Sequence, residues 1–197
     1  SEGEAGASEN ADALPVARQQ ETATMTPVER LAAKADGKQW ELVENQRGIT
    51  YYKLFGPYLA GAKKIVVEDA YVRMPYQLRN LAEFLEMLLR CKNSGEDVAV
   101  HLVTGHNDPG FVKAQLNGLD ELASTFSQLG VDLTYEFRDT LHDRSITSDT
   151  GWEILPGRGL DIFQKFVDGD WLNPLLRHQQ LRRVKECKIT YRRIDEK

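Results

Sequence analysis

Three apolar, β-branched stretches alternate with two long helical patterns in the middle of this chain, and that order leaves few folds open. KKIVVEDAYV (63–72) and DVAVHLVTG (97–105) read as buried strands, and VDLTYEF (131–137) alternates with period two. YQLRNLAEFLEMLLRC (76–91) is amphipathic, with Leu78, Leu81, Leu85, Leu88 and Leu89 on one face. A second helix is expected over roughly 110–129, ended by Gly130. The series β-α-β-α-β predicts an α/β layer with a largely parallel sheet.

The flanking segments are less regular. TYYKLF (50–55) reads as a strand or the lead-in to one, followed by a break at Gly56-Pro57. HDRSITSD and TGWEILPG read as antiparallel hairpin partners, GRGLDIFQKFV as containing a short helix, and ECKITYRR (186–193) as a closing strand. Residues 1 to about 26 are rich in Ser, Glu, Ala and Asn, so they bury too little apolar surface to offset the entropy of ordering. TPVERLAAKAD has the marks of a short helix: Thr26 as cap, Pro27 in the first turn, and Glu29 at capping-box spacing. The expected organisation is a linker with one short helix over residues 1–44. A single α/β domain over 45–197 follows, with a mixed, mostly parallel sheet flanked by helices.

The chain has 197 residues, of which 41% are hydrophobic and 28% charged, as in ordinary globular proteins. No apolar run approaches the ~20 residues that span a bilayer. The start, SEGEAGASEN, lacks the basic and apolar regions of a secretory leader. It also lacks an initiator Met, which is expected of a piece of a longer protein. Cys91 and Cys187 lie far apart and are expected to be reduced, as in a cytoplasmic protein. The four histidines (101, 106, 142 and 178) show no metal-ligand spacing with them, so neither metal nor cofactor is expected.

Net charge is −5, unevenly spread. Residues 1–30 hold six acids against two arginines. Residues 177–197 hold eight Lys or Arg against Glu186, Asp195 and Glu196. A basic end on a near-neutral domain suits phosphates on lipid or nucleic acid; it equally suits a solvated strand and tail.

One short pattern bears on chemistry. LHDRSITSD places His142, Arg144 and Asp149 in a His-x-Arg-x4-Asp spacing. A positioned His serves as a covalent nucleophile, and a cation stabilises charge on phosphoryl oxygens. The structural alternative is a partly exposed strand on which Asp143, Arg144 and Asp149 are solvated. Downstream, Gly157-Arg158-Gly159-Leu160-Asp161 could cradle an anion through glycine-permitted backbone approach and the Arg158 fork, or could simply be a turn that caps a helix. Glu68, Asp69 and Arg73 in VEDAYVR could line a pocket with His142, but an internal ion pair fixing a turn is the simpler reading. Trp152 and Trp171 are candidate interface anchors, Trp152 being better suited to a core through its alternation with Ile154.

Taken in order, YYKLFGPYL, VEDAYVRMPYQLRNLAEFLEMLLR, HLVTG and LHDRSITSDTGWEILPGRGLDIF resemble the C-terminal phospholipase D-like domain of MIT-domain-containing proteins, over roughly residues 45 to 193. The wider phospholipase D superfamily uses His-x-Lys-x4-Asp, in which the histidine attacks phosphorus, the lysine neutralises phosphoryl charge and the aspartate orients a histidine. The resemblance implies one phospholipase D-like α/β/α domain with a single degenerate motif, whereas active superfamily members juxtapose two copies. It also implies a homodimer that binds acidic phospholipid head groups. Prokaryotic relatives append the domain to a Lon-like protease or another AAA+ module, so other domains of a parent protein are expected partners. The recruitment role of MIT helices does not carry over to residues 1–44. Arg144 replaces the motif lysine, and an arginine fork is not a point donor. The Gly-Ser-x-Asn element that should follow is replaced by GRGLD.

The leading expectation is therefore a non-catalytic phospholipase D-like binding and assembly module, cytoplasmic or peripheral at a membrane. It would dimerise and meet acidic phospholipid or nucleic acid through His142, Arg144, Gly157, Arg158, Gly159, Arg182, Arg183, Lys185 and Lys188. The rival is a phosphodiesterase, nuclease or lipase, with His142 as nucleophile, Arg144 as clamp and Asp149 as orienter. It would need a second motif from a partner subunit.

Overall fold

A computed structural model describes residues 24–165 and 172–194. Trp171, much of the linker and the end of the GRGLDIFQKFV segment lie outside the described residues. The elements in chain order are α1 (Pro27–Ala32), β1 (Trp40–Leu42), α2 (Tyr51–Leu54), α3 (Gly56–Leu59), β2 (Lys64–Asp69), α4 (Pro75–Cys91), β3 (Val98–Thr104) and α5 (Val112–Ser127). They continue with β4 (Val131–Phe137), β5 (Arg144–Ser148), β6 (Trp152–Pro156), α6 (Pro174–Arg177), a 3-10 turn (Gln179–Leu181) and β7 (Cys187–Arg193).

The strands form one seven-stranded sheet in the order β1-β7-β6-β5-β2-β3-β4. Only β2-β3-β4 is parallel; each crossover there contains a long helix. The four remaining pairings are antiparallel. The sheet is mixed as expected, but it is not mostly parallel. The later strands are joined by short connections, such as the Asp149–Gly151 turn between β5 and β6, and short connections permit only antiparallel neighbours.

The two parallel crossovers place α4 and α5 on the same face of the sheet, where α2 and α3 also pack against α4. Ile65, Val67, Val100, Leu102 and Leu133 are buried beneath them with Leu81, Phe84, Leu85 and Leu88 of α4. Leu78 and Leu89 stay half-buried on the flank toward α5. On the other face of the sheet Lys64, Ala99, Asp132 and Thr134 are exposed. Among the described residues, helices therefore flank one face, and the second helical layer implied by the α/β/α resemblance is not seen there.

Three local expectations need correction. TYYKLF is helical: the Thr50 side chain accepts from the Lys53 amide at 3.1 Å, and fully buried Tyr51, Leu54 and Phe55 fall at i, i+3 and i+4. GRGLDIFQ forms a turn and a bridge from Phe163 to Val184, with no helix up to residue 165. Ordered structure also starts before residue 45. β1 pairs with β7, and α1 carries the expected capping box, in which Thr26 and Glu29 bond each other's backbone amides.

Both thiols lie in the folded body. Burial pushes Cys91 up to about 12, and burial also raises Cys187. Neither should react quickly with Ellman's reagent at pH 8 while the chain is folded, and both should react at once in denaturant, since the thiolate is the nucleophile. A thiol that titrates rapidly in the native chain would contradict this packing.

Candidate functional site

Antiparallel pairing of β5 with β2 sets the motif's position. Arg144, the first residue of β5, is the register partner of Asp69, the last residue of β2. The motif therefore starts at the end of the sheet where the parallel strands finish, the usual position for ligands in open α/β sheets. To reach β5 from β4, residues 138–143 must cross the ends of β3 and β2. The Arg138 amide bonds the Thr104 carbonyl at 2.8 Å, and Leu141 buries itself with Ala70 and Val103. This apolar plug holds the crossing segment down and leaves His142 and Asp143 exposed.

Arg144 is turned inward. Its Nη1 donates to the Gly157 carbonyl at 2.8 Å. Its Nε is buried without a hydrogen-bond partner, 4.0 Å from an Asp69 oxygen. Its guanidinium stacks 4.7 Å from the ring centre of Tyr71, with Arg73 5.3 Å from the same centre. Asp69 is 3% exposed. One of its oxygens accepts from the Tyr71 amide and the other from the Leu160 amide, both at 3.0 Å. Burial pushes its carboxyl above the usual range, against the pull of those amides and of Arg144.

The GRGLD turn does cradle an anion, and the anion is the domain's own Asp69. Gly159 sits at φ +61°, and a Cβ there would overlap the Asp69 carboxylate. Gly157 donates its amide to the Lys188 carbonyl at 3.0 Å. Arg158 is exposed, with its Nε bonded to the Glu186 carbonyl at 2.9 Å.

The motif residues do not converge within one chain. Asp149 follows the last residue of β5, at the opposite end from His142, and accepts from the Lys63 amide at 3.0 and 3.3 Å. The basic group near the C-terminus also divides. Arg182 is 3% exposed, ion-paired with Glu83 and stacked 4.5 Å from the centre of Phe163, so it is an internal cation. Lys185 is half-buried against Asp161 at 2.8 Å. Arg183 and Lys188 remain exposed.

Two features carry no motif. Arg47, Lys165, Arg182 and Arg183 line a cavity of about 290 Å³ with Leu175, Leu176 and Leu181, and among the described residues no carboxylate lines it. The Arg182 Nε is buried and has no hydrogen-bond partner. At the sheet end, His106 Nδ1 lies 3.0 Å from Asp139, and its ring stacks 4.1 Å from Phe137. The His106 amide and ring hold the Asp139 carboxyl below the usual range. The one sequence signal for that pair was its place just after the ends of two parallel strands.

The sequence profile described as "Phospholipase D-like domain at C-terminus of MIT" matches residues 48–193. The chain belongs to this family of phospholipase D-like domains. It is also 37% identical over 139 residues to mouse MIT domain-containing protein 1, an alignment covering 67% of this chain and 54% of the mouse protein. The chain thus matches about half the length of that relative. In this phospholipase D-like domain the degenerate motif keeps its histidine at the surface, its cation faces inward, and its aspartate is a backbone acceptor at the far end of the strand. No described helix is long and apolar enough to cross a membrane.

Proposed function

We propose that this phospholipase D-like domain is a non-catalytic binding and assembly module that dimerises and recognises phosphate-bearing partners for a larger protein. The observation that carries the reading is the commitment of Arg144. A phosphate clamp must offer its charge to the substrate, yet this guanidinium is held by the Gly157 carbonyl, the Tyr71 ring and the proximity of Asp69. The cavity walled by Arg47, Lys165 and Arg183 supports a phosphate site elsewhere, because these three cations line it with no carboxylate among the described residues, whereas the charge of Arg182 is taken up by Glu83.

Hydrolysis of bis(4-nitrophenyl) phosphate separates this reading from the phosphodiesterase. The intact chain and His142→Ala should show equal, background rates. Turnover that disappears in His142→Ala would make the domain an enzyme. For binding, Arg47→Glu with Arg183→Glu should weaken capture by anionic vesicles or by a DNA duplex by about tenfold at fixed salt. Whichever surface loses affinity identifies the source of the phosphate. Unchanged binding to both would remove the cavity from the reading.

A further inference from the structure

A groove runs between α4 and α5, away from the cationic cavity. It has a volume of about 830 Å³, within the usual range of ligand-binding clefts. Leu78, Ala82 and Leu89 of α4 face Leu122 and Phe126 of α5 and Leu129 beyond it. Gly118 allows the two helices to close on each other: a Cβ there would come within 2.6 Å of a Leu78 methyl. A smaller cavity shares Leu78 and Pro75 with the groove and extends its apolar lining to Met74 and Phe111. Met74, Phe111 and Leu129 are among the exposed large apolar residues of the described structure, at 39%, 56% and 49% exposure. Three such residues along one strip form a contiguous apolar surface rather than scattered exposure.

The rim is acidic. Glu86 projects from α4 and Glu121 from α5, both exposed. Arg79 on the lining lies 3.3 Å from Glu83, a carboxylate it shares with Arg182, so the two exposed glutamates outnumber it on the rim. Partial burial and the charge of Glu83 push the Glu86 carboxyl above its usual range, against the opposing pull of Arg79. An acidic rim repels anionic head groups, and it would also repel a second copy of itself across a two-fold axis.

We propose that this groove docks a basic amphipathic helix of a partner protein. Apolar residues at i, i+3 or i+4 and i+7 of that helix fill the strip, and Lys or Arg at its borders meet Glu86 and Glu121. This site does not depend on the phosphate-binding reading. The discriminating experiment is a selection of displayed random 16-residue peptides on the intact 197-residue chain. Fluorescence anisotropy follows against the parent chain, Ala82→Trp and Glu86→Lys/Glu121→Lys, with circular dichroism confirming each fold. Enriched peptides should share an apolar helical period with flanking Lys or Arg. They should lose about tenfold or more in affinity on either variant. Should Ala82→Trp fail to fold, the exposed charge-reversal variant decides alone. No enrichment, peptides without basic residues, or binding within about twofold of the parent on the charge-reversed chain would overturn the proposal. So would sedimentation showing that these substitutions dissociate a dimer of the chain, which would give the groove to a second copy.

Discussion

Arg182→Ala should destabilise the domain by about 1.5–3 kcal/mol, the usual scale for losing a buried charge-assisted hydrogen bond. The arginine is 3% exposed and its partner Glu83 has a side chain 12% exposed, so water cannot replace the lost charge. Glu83 also accepts from Gln179 at 2.9 Å, and Gln179 in turn accepts from the Tyr51 amide at 2.8 Å. Losing the cation leaves the Glu83 carboxylate under the 174–182 segment with Arg79, 3.3 Å away, as its remaining counter-charge. The stacking of the guanidinium on Phe163 disappears as well. Urea unfolding of Arg182→Ala, Glu83→Gln and the double variant checks this. The double variant should be close to Arg182→Ala in stability, because Arg79 remains to neutralise Glu83; a clearly more stable double variant would show that the carboxylate had been left unpaired. A loss below about 1 kcal/mol in Arg182→Ala would mean that the pair is solvated.

Gly159→Ala is the second large effect, on the order of 3 kcal/mol. About 1–2 kcal/mol comes from placing a side chain at φ +61°. The rest comes from overpacking, because the new methyl would overlap the Asp69 carboxylate and drive it off the Leu160 amide. The two parts separate in a double-mutant cycle. In an Asp69→Ala background the Gly159→Ala penalty should shrink to its backbone part, giving a coupling of about 1 kcal/mol or more. Additive losses would show that the turn does not close on the carboxylate. Asp69→Ala should also free Arg144 from its nearest carboxylate, so the same proteins can be assayed for any gain in phosphate binding.

The parallel half of the fold was legible because its signals are local. β2, β3 and β4 show in runs or alternation of apolar residues, and α4 in a repeat that places Leu81, Phe84, Leu85 and Leu88 inward. β1 was not legible: three residues carry no period, and Trp40 becomes a strand residue only by pairing with Ile189 near the other end of the chain. Tyr51 and Leu54 misled because short apolar runs suit either a strand or a buried helical turn.

The site divides in the same way. The motif spacing was visible, but His142 and Asp149 flank an extended strand rising ~3.3 Å per residue, so they lie about 20 Å apart along it. Arg182 and Lys185 look like surface charges because Glu83 and Asp161, which neutralise them, are distant in sequence. GRGLD shows an internal contact that its sequence does not reveal. It recognises a carboxylate, but one from β2, and only the three-dimensional pairing of β2 with β5 brings the two together.

The sheet's two borders bear on how such a domain avoids adding further strands. A lone strand row invites another chain to add to it, and proteins resist this with short or charged borders. One border here is β1, only three residues long, which offers an incoming chain few backbone groups. The other is β4, seven residues long and carrying Asp132 and Glu136 on its exposed side. A copy of β4 laid antiparallel beside it would bring these acids together. Among the described residues both borders of the sheet are thus guarded against strand-by-strand growth, which keeps an added chain from turning the sheet into the seed of a fibre.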